Sequence, residues 1–167
     1  MTPVRVNLPA VKAGGTGLGF PARAVGEGRQ AKDFAGMLLE HCEFRDIRPD
    51  VKLPRLGLEL SFLATDHAGH EWAFDVSGAF TSTPAGLRRT DTLWKALGKA
   101  AVLRQGRDDL PLVLLTTDAP AQGSAGRSAL EALRLPGGPV FDLVVLLNEK
   151  DQERLRTYAT KGWIARR

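Results

Sequence analysis

Two short runs of the chain are apolar almost without interruption, and they constrain the fold more than any other feature. They are residues 111–116 (PLVLLT) and 140–147 (VFDLVVLL). Short apolar runs with β-branched residues and little polar alternation are typical of strands buried on both faces. The sequence therefore predicts two central strands of a sheet that helices cover.

Helical patterns surround these two strands. In the first pattern apolar positions recur three and four residues apart, which is the spacing of one helix face. In the second, residues Thr90, Asp91 and Thr92 offer helix-capping side chains ahead of an amphipathic stretch. The sequence predicts four helices, over residues 30–41, 90–103, 124–133 and 148–158, the last with Asn148 as its cap.

A β-hairpin is predicted between the first two helices, over residues 57–79, with its turn at 66–70. Trp72 and Phe74 alternate on one face of its second strand, so we expect both in the core. The prolines of residues 45–55 favour a loop there, with a short strand as the alternative. The expected order is helix, β-hairpin, helix, strand, helix, strand, helix. This order predicts an α/β fold with a mixed central sheet flanked by helices.

The length of 167 residues suits one compact domain, which we expect over residues 30–167. Residues 1–29 are rich in Gly, Ala and Pro and are expected to form a flexible arm. Their glycine run, residues 14–19, lacks the Gly-Lys-Ser/Thr of a phosphate-binding loop.

The composition excludes several classes of protein. Cys42 is the only cysteine, so neither an internal disulfide nor a cysteine-based zinc site is possible. In its helical pattern Cys42 is expected to be a small buried side chain. No apolar run approaches the length of a membrane span, and no signal peptide opens the chain, so a cytoplasmic location is expected. A net charge of +4 is compatible with a polyanionic partner without requiring one.

Two acids are expected at one end of the hairpin. Glu59 lies near the start of its first strand, and Asp75 lies near the end of its second. Antiparallel pairing brings these two ends together, so the carboxylates can meet. Hard cations take oxygen ligands, so the pair predicts a Mg²⁺ site.

The order helix, hairpin, helix, strand, with acids on these elements, resembles the restriction-endonuclease-like (PD-(D/E)xK) nuclease superfamily. In that superfamily an acid on the first hairpin strand precedes an acid-x-lysine on the second. Asp75-Val76-Ser77 corresponds to the second place. Ser61 has the better spacing for the first place but is not an acid. Glu59, two residues earlier and on the same strand face, is expected to replace it.

The superfamily lysine is replaced by Ser77. Some members supply this cation from the following helix, where this chain has Lys95 and Lys99 one turn apart. Lys95 is nearer the helix start and is predicted to be the catalytic cation. Glu40, at the end of the first helix, matches an accessory acid found in many relatives.

The resemblance implies a metal-dependent endonuclease that hydrolyses phosphodiester bonds, in DNA or, as the alternative, in RNA. Glu59, Asp75 and the carbonyl of Val76 would hold Mg²⁺ or Mn²⁺. Lys95 would stabilise charge on the phosphate, and Ser77 would hydrogen-bond water or phosphate. Cleavage of both strands is commonly done by two copies, so a homodimer is compatible with this function. The residues expected to bind the nucleic-acid backbone are Arg55, Arg88, Arg89 and Lys99.

Two other functions stay open. The missing acid-x-lysine motif is also compatible with an inactive member of the same fold that binds nucleic acid or a protein. The chain can also be an unrelated small α/β interaction protein.

Other polar groups of the sequence favour structural roles. The group Asp66, His67 and His70 is expected to consist of polar turn residues rather than a metal site. Thr116, Thr117 and Asp118 are expected to cap a loop, with ligand binding at the sheet edge as the alternative. Asp142 interrupts an apolar strand and needs a partner if it is buried, so an edge position or a salt bridge is expected.

Overall fold

The computed structural model describes residues 31–80 and 83–162. These residues form a five-stranded mixed sheet with helices on both faces, as expected for the α/β class. The predicted arm and its glycine run lie outside the described residues. The elements are α1 (Ala31–His41), β1 (Arg45–Leu53), β2 (Leu58–Thr65), β3 (Glu71–Ser77), α2 (Thr90–Gly106), β4 (Leu112–Thr116), α3 (Ala125–Leu133), β5 (Asp142–Val145) and α4 (Glu149–Lys161).

The strands lie side by side in chain order, from β1 at one edge to β5 at the other. The pairs β1–β2 and β2–β3 are antiparallel, whereas β3–β4 and β4–β5 are parallel. The change to parallel pairing occurs where α2 and α3 begin to separate consecutive strands, because parallel neighbours need a crossover. The two apolar runs of the sequence supply β4 and β5, and every residue of β4 is buried.

Strand β1 corrects the expectation of a loop over residues 45–55. It is a nine-residue strand that pairs with β2. Pro49 is tolerated because β1 is an edge strand, where one side of the backbone needs no ladder hydrogen bond. Its exposed charged residues protect that edge from pairing with another chain. The predicted hairpin is therefore part of a three-stranded antiparallel meander.

Each face of the sheet has its own apolar cluster. On one face α1 and α4 pack over Trp72, Phe74 and Val113, so the predicted core positions Trp72 and Phe74 are confirmed. On the other face α2 and α3 pack over Ala73 and Leu114. Alternate residues of β3 and β4 point to opposite clusters, which explains why the middle of β3 (Trp72–Phe74) and nearly all of β4 are apolar.

The start of α2 differs from the expectation. Arg89 occupies the N-cap position, and no side chain there accepts a capping hydrogen bond. Ser124 and Asn148 do cap their helices, accepting hydrogen bonds from the backbone N–H groups of Arg127 and Asp151 at 3.1 Å each. The predicted cap at Asn148 is thus confirmed.

The polar groups expected to be structural are bonded within the fold. Asp66 is buried and accepts hydrogen bonds from the N–H groups of Ala68 and His70 and from Trp72 Nε1, each at 2.9 Å. Such a set of donors closes the hairpin turn and needs no metal.

None of the described helices combines the length and the apolar character that crossing a membrane requires.

The polar residues after β4 fasten a neighbouring loop. Thr116 Oγ1 accepts a hydrogen bond from the N–H of Leu87 at 3.1 Å. Asp118 Oδ2 accepts hydrogen bonds from the N–H of Ala85 at 3.0 Å and from Thr117 Oγ1 at 3.1 Å. These contacts fix the segment that leads into α2, which agrees with the expected loop-capping role.

Candidate active site at the open end of the hairpin

Strands β2 and β3 separate at one end of the hairpin. Their paired residues run from Thr65 and Glu71 to Phe62 and Phe74, although β2 begins at Leu58. Beyond this last pair, the N–H of Val76 donates a hydrogen bond to Ser61 Oγ at 2.9 Å. A serine hydroxyl therefore takes the place of a backbone acceptor where the ladder ends.

A cavity of about 490 Å³ lies at this open end. Its walls come from the starts of α1 and β2, from β1, from the end of β3 and from the first half of α2. The lining is rich in charged side chains of both signs. They are Lys32, Asp50, Glu59, Asp75, Asp91, Lys95 and Lys99.

Asp75 is the most buried acid of this cavity, with 6% of its surface exposed. Lys99 Nζ donates a hydrogen bond to Asp75 Oδ1 at 2.7 Å. Ser61 Oγ, at 3.4 Å, is a second and weaker donor to the same oxygen. No described residue donates to Oδ2, so half of the carboxylate keeps its capacity to bind. Burial of such a group is costly, and the ammonium of Lys99 offsets that cost.

The structure assigns different positions to the two lysines of α2. Both line the cavity, but Lys99 is the one that pairs with Asp75. Lys95, predicted as the catalytic cation, is exposed, and no described residue forms an ion pair with it. Lys99 lies one helical turn, about 5.4 Å, beyond Lys95, and this extra turn brings its side chain to Asp75. The sequence alone does not show which turn of α2 lies beside Asp75, so it could not distinguish the two lysines.

Glu59, Val76 and Ser77 also line the cavity, so the structure brings the predicted hairpin residues together. Glu59 is exposed, whereas Val76 also packs against the cluster beneath α1. Leu60 and Leu63 are an odd number of residues apart, yet both pack into the cluster on the opposite face, beneath α2, so β2 does not keep a strict two-residue alternation there. Glu59 is therefore assigned to the site because it lines the cavity, and not because strand periodicity puts it on that face.

Two lining residues that the sequence reasoning missed are Lys32 and Asp50, which form an ion pair with each other. Asp50 has a backbone φ of 52°, in the left-handed region that non-glycine residues rarely adopt. Such backbone conformations are concentrated at functional sites. No signal in the sequence could have identified this pair, because α1 and β1 meet only through the tertiary fold.

Asp91 and Thr92 were predicted as helix caps and also line the cavity. Asp91 forms an ion pair with Arg89, with Arg89 Nε 3.4 Å from Asp91 Oδ1. Arg89 lowers the pKa of Asp91 through this hydrogen bond. The start of α2 therefore contributes a charged rim to the cavity.

Other predicted site residues lie elsewhere. Glu40 is exposed at the end of α1 and is not part of the cavity wall, which α1 reaches only through Lys32 at its opposite end. Arg55 is exposed in the short 3₁₀ turn Pro54–Leu56 and also lies outside the wall. Arg88 and Arg89 are exposed immediately before α2.

The described residues contain no group of three or more His, Cys, Asp or Glu side chains arranged to hold a metal ion. A cation at this site would therefore take ligands from two carboxylates at most, together with backbone, water or substrate oxygens. Mg²⁺ commonly binds in this way, through one or two carboxylates plus phosphate oxygens. Glu59, Asp75 and Val76 line this cavity and carry carboxylate and carbonyl oxygens, which are donors of the kind that such an ion takes.

No protein-family model matches the chain, and it has no match among curated proteins or solved structures.

Proposed function

We propose that the chain is a metal-dependent endonuclease with a restriction-endonuclease-like core, acting on phosphodiester bonds, with DNA as its expected substrate. The observation that carries this proposal is the environment of Asp75. A buried carboxylate at the end of a central strand faces a charged cavity, pairs with one lysine and keeps one oxygen without a donor from the described residues.

The arrangement of elements supports the same core. A helix, an antiparallel hairpin, a second helix and a strand parallel to the second hairpin strand follow one another in α1, β2–β3, α2 and β4. The acid-x-serine segment Asp75-Val76-Ser77 ends β3 at the open end of the hairpin. The cavity volume of about 490 Å³ is in the range of small-molecule sites, so a phosphodiester group fits within it.

Glu59, Asp75 and the Val76 carbonyl are the groups that would hold Mg²⁺ or Mn²⁺. When bound, the metal supplies Lewis acidity at the phosphoryl oxygen and lowers the pKa of a water ligand. Lys99 compensates the charge of Asp75 and keeps its carboxylate in place. Lys95 is the cavity cation available to the phosphate, because no described residue pairs with it. Ser77 offers a hydroxyl for water or phosphate.

The test is cleavage of supercoiled plasmid with Mg²⁺, Mn²⁺ or a chelator. Asp75→Asn keeps the size and burial of the side chain and removes its charge. We expect metal-dependent nicking that this substitution abolishes. The matched control is Asp108→Asn, an exposed acid beyond the far end of α2, which should cleave as the wild type does. Equal cleavage by wild type and Asp75→Asn would contradict the proposal.

A second function is favoured by one observation. Hydroxyls occupy both the position best spaced for the first acid, Ser61, and the position of the lysine, Ser77. A fold that lost its catalysis would keep the basic surface and bind nucleic acid without cutting it. Salt-sensitive binding to DNA with no metal-dependent nicking would favour this inactive module over the nuclease.

A further inference from the structure

An exposed tryptophan lies beside the candidate active site. Trp94 is on α2, and 58% of its surface is exposed. It makes no ring contact or hydrogen bond with any described residue. Tryptophan is usually well buried, so an indole left open to solvent on a helix indicates a surface that contacts something else.

The position of Trp94 on the helix places it at the rim of the cavity. Residues three apart on a helix are surface neighbours, and Asp91, three residues before Trp94, lines the cavity. Lys95 follows Trp94 directly and also lines the cavity. One turn further on, Gly98 has open space beside it, since a Cβ there would meet no atom within 4 Å. A planar group therefore has access to the indole.

Basic side chains accompany this indole. Arg88 and Arg89 are exposed before the helix, and Lys95 is exposed next to Trp94 in the chain. Arg89 is paired with Asp91, so Arg88 and Lys95 are the two of these cations that have no ion pair among the described residues. Cations next to an exposed aromatic ring are the combination that binds single-stranded nucleic acid, in which phosphates meet the charges and bases stack on the ring. Within a duplex each base is already covered by its neighbours, so stacking on a surface indole requires an unpaired nucleotide.

We infer that Trp94 stacks an unpaired base of a strand whose phosphate enters the cavity, so that the substrate of the site contains single-stranded nucleic acid. This inference rests on the proposed nuclease function and narrows its substrate class. Free strands, flaps and gapped duplexes contain an unpaired base, whereas a fully paired duplex does not.

The same face is poorly suited to a second copy of the chain. Besides Trp94, its exposed apolar surface consists of Ala101, Val102 and a glycine, whereas a stable interface buries about 800 Å² on each partner. Two-fold symmetry brings the same patch of both copies together. The cations around Trp94 would then face their own equivalents, and this repulsion favours a polyanion as the occupant.

The experiment compares binding of a 20-mer of deoxythymidine with binding of a blunt 20-base-pair duplex, in chelator, by fluorescence anisotropy. We expect Trp94→Leu, which keeps an apolar side chain without a flat ring, to weaken single-strand binding about tenfold. Its duplex affinity and unfolding temperature should stay unchanged. Trp94→Phe should restore part of the lost affinity. The control Val102→Ala, two turns along α2, should bind as the wild type does.

Intrinsic fluorescence gives an independent readout. Binding of the single strand should quench the emission of the wild type, and the quench should be smaller in Trp94→Phe. Unchanged single-strand affinity in Trp94→Leu would overturn the inference. A dimer that Trp94→Leu dissociates, with strand affinity intact, would overturn it in favour of a second copy. If plasmid is cut but Trp94 makes no difference, the substrate inference alone fails. If strand binding depends on Trp94 but neither the plasmid nor a single strand is cut in the presence of metal, the nuclease function fails.

Discussion

Asp75 and Asp142 are two buried acids of the same sheet, and their surroundings differ. Asp142, on the edge strand β5, is 1% exposed and binds through both oxygens. Its Oδ1 accepts from Arg134 at 2.5 Å and from the N–H of Leu143 at 2.8 Å. Its Oδ2 accepts from Arg154 at 2.6 Å and from the hydroxyl of Tyr158 at 2.8 Å.

Asp75 has fewer partners and faces an open space. Donors reach only its Oδ1, among the residues that the structure describes, and a cavity lies beside it. Burial alone therefore does not separate a structural acid from a functional one. The difference lies in whether the fold supplies hydrogen bonds to both oxygens, as at Asp142, or leaves one of them for a ligand.

The largest expected effect is on activity at Asp75. We expect Asp75→Asn to lower metal-dependent cleavage by about a thousandfold, since bound metal stabilises the transition state by several kcal/mol. The substitution leaves the side chain of Lys99 without its partner, yet that side chain is 23% exposed, so we expect only a small loss of stability. Cleavage rate and thermal unfolding of the same sample check both expectations. A fully active variant would show that Asp75, like Asp142, has only a structural role.

The opposite result is expected at Asp142. Asp142→Asn removes the charge that holds Arg134 and Arg154 and should lower the free energy of unfolding by about 3 kcal/mol. Urea unfolding followed by circular dichroism measures this loss. The folded fraction should keep its cleavage rate. A large loss of activity with unchanged stability would contradict the structural role.

Lys99 and Lys95 sharpen the comparison further. We expect Lys99→Met to slow cleavage about a hundredfold, because an unpaired Asp75 is no longer held in place. We expect Lys95→Met to slow it about tenfold and to weaken DNA binding, since the role proposed for Lys95 is contact with the phosphate. Single-turnover rates and binding isotherms separate these effects. An equal effect of both substitutions on binding and rate would remove the distinction between them.

Acid should weaken the Asp142 network. Burial raises the pKa of Asp142, but the hydrogen bonds and charges of Arg154, Tyr158 and Arg134 outweigh it, and the net pKa lies below the ordinary 3.8. The ionised acid therefore stabilises the fold fully above pH 3.8, and this contribution is lost as the pH falls through the lowered value. Wild type and Asp142→Asn should converge in stability at low pH. A stability difference that grows on acidification would contradict this sign.

The smallest effect concerns Cys42. Its side chain is fully buried, and burial raises the pKa of the thiol to about 12. Because the thiolate is the reactive form, Cys42 should react with a disulfide reagent at pH 8 only after unfolding. Absorbance of the released thiol, with and without urea, measures this difference. Rapid reaction of the folded protein would indicate that the core beneath α1 opens.

Much of the fold could be predicted from the sequence, because its signals are local. The apolar runs that became β4 and β5 and the cap at Asn148 act within a few residues. Strand β1 could be predicted only as the alternative to a loop, because Pro49 is acceptable in a strand only at a sheet edge, and edge position is a property of the assembled sheet. Which of Lys95 and Lys99 pairs with Asp75 depends on how α2 crosses β3, and the spacing of residues in the sequence does not show this.

The candidate site was predicted in part for the same reason. Glu59, Asp75 and Ser77 belong to one hairpin, so their proximity follows from local pairing. Lys32 and Asp50 come from α1 and β1, and their meeting depends on tertiary packing. Glu40 was predicted from the resemblance to the nuclease superfamily, whereas α1 lines the cavity only with Lys32 in its first turn.

The proposed function requires that Glu59 and Asp75 together bind one divalent cation. Titration of Mn²⁺ followed by electron paramagnetic resonance measures this binding directly, without any nuclease assay. We predict one site that is lost in both Glu59→Gln and Asp75→Asn and kept in folded Asp142→Asn. Mn²⁺ binding that survives both of the first two substitutions would contradict it.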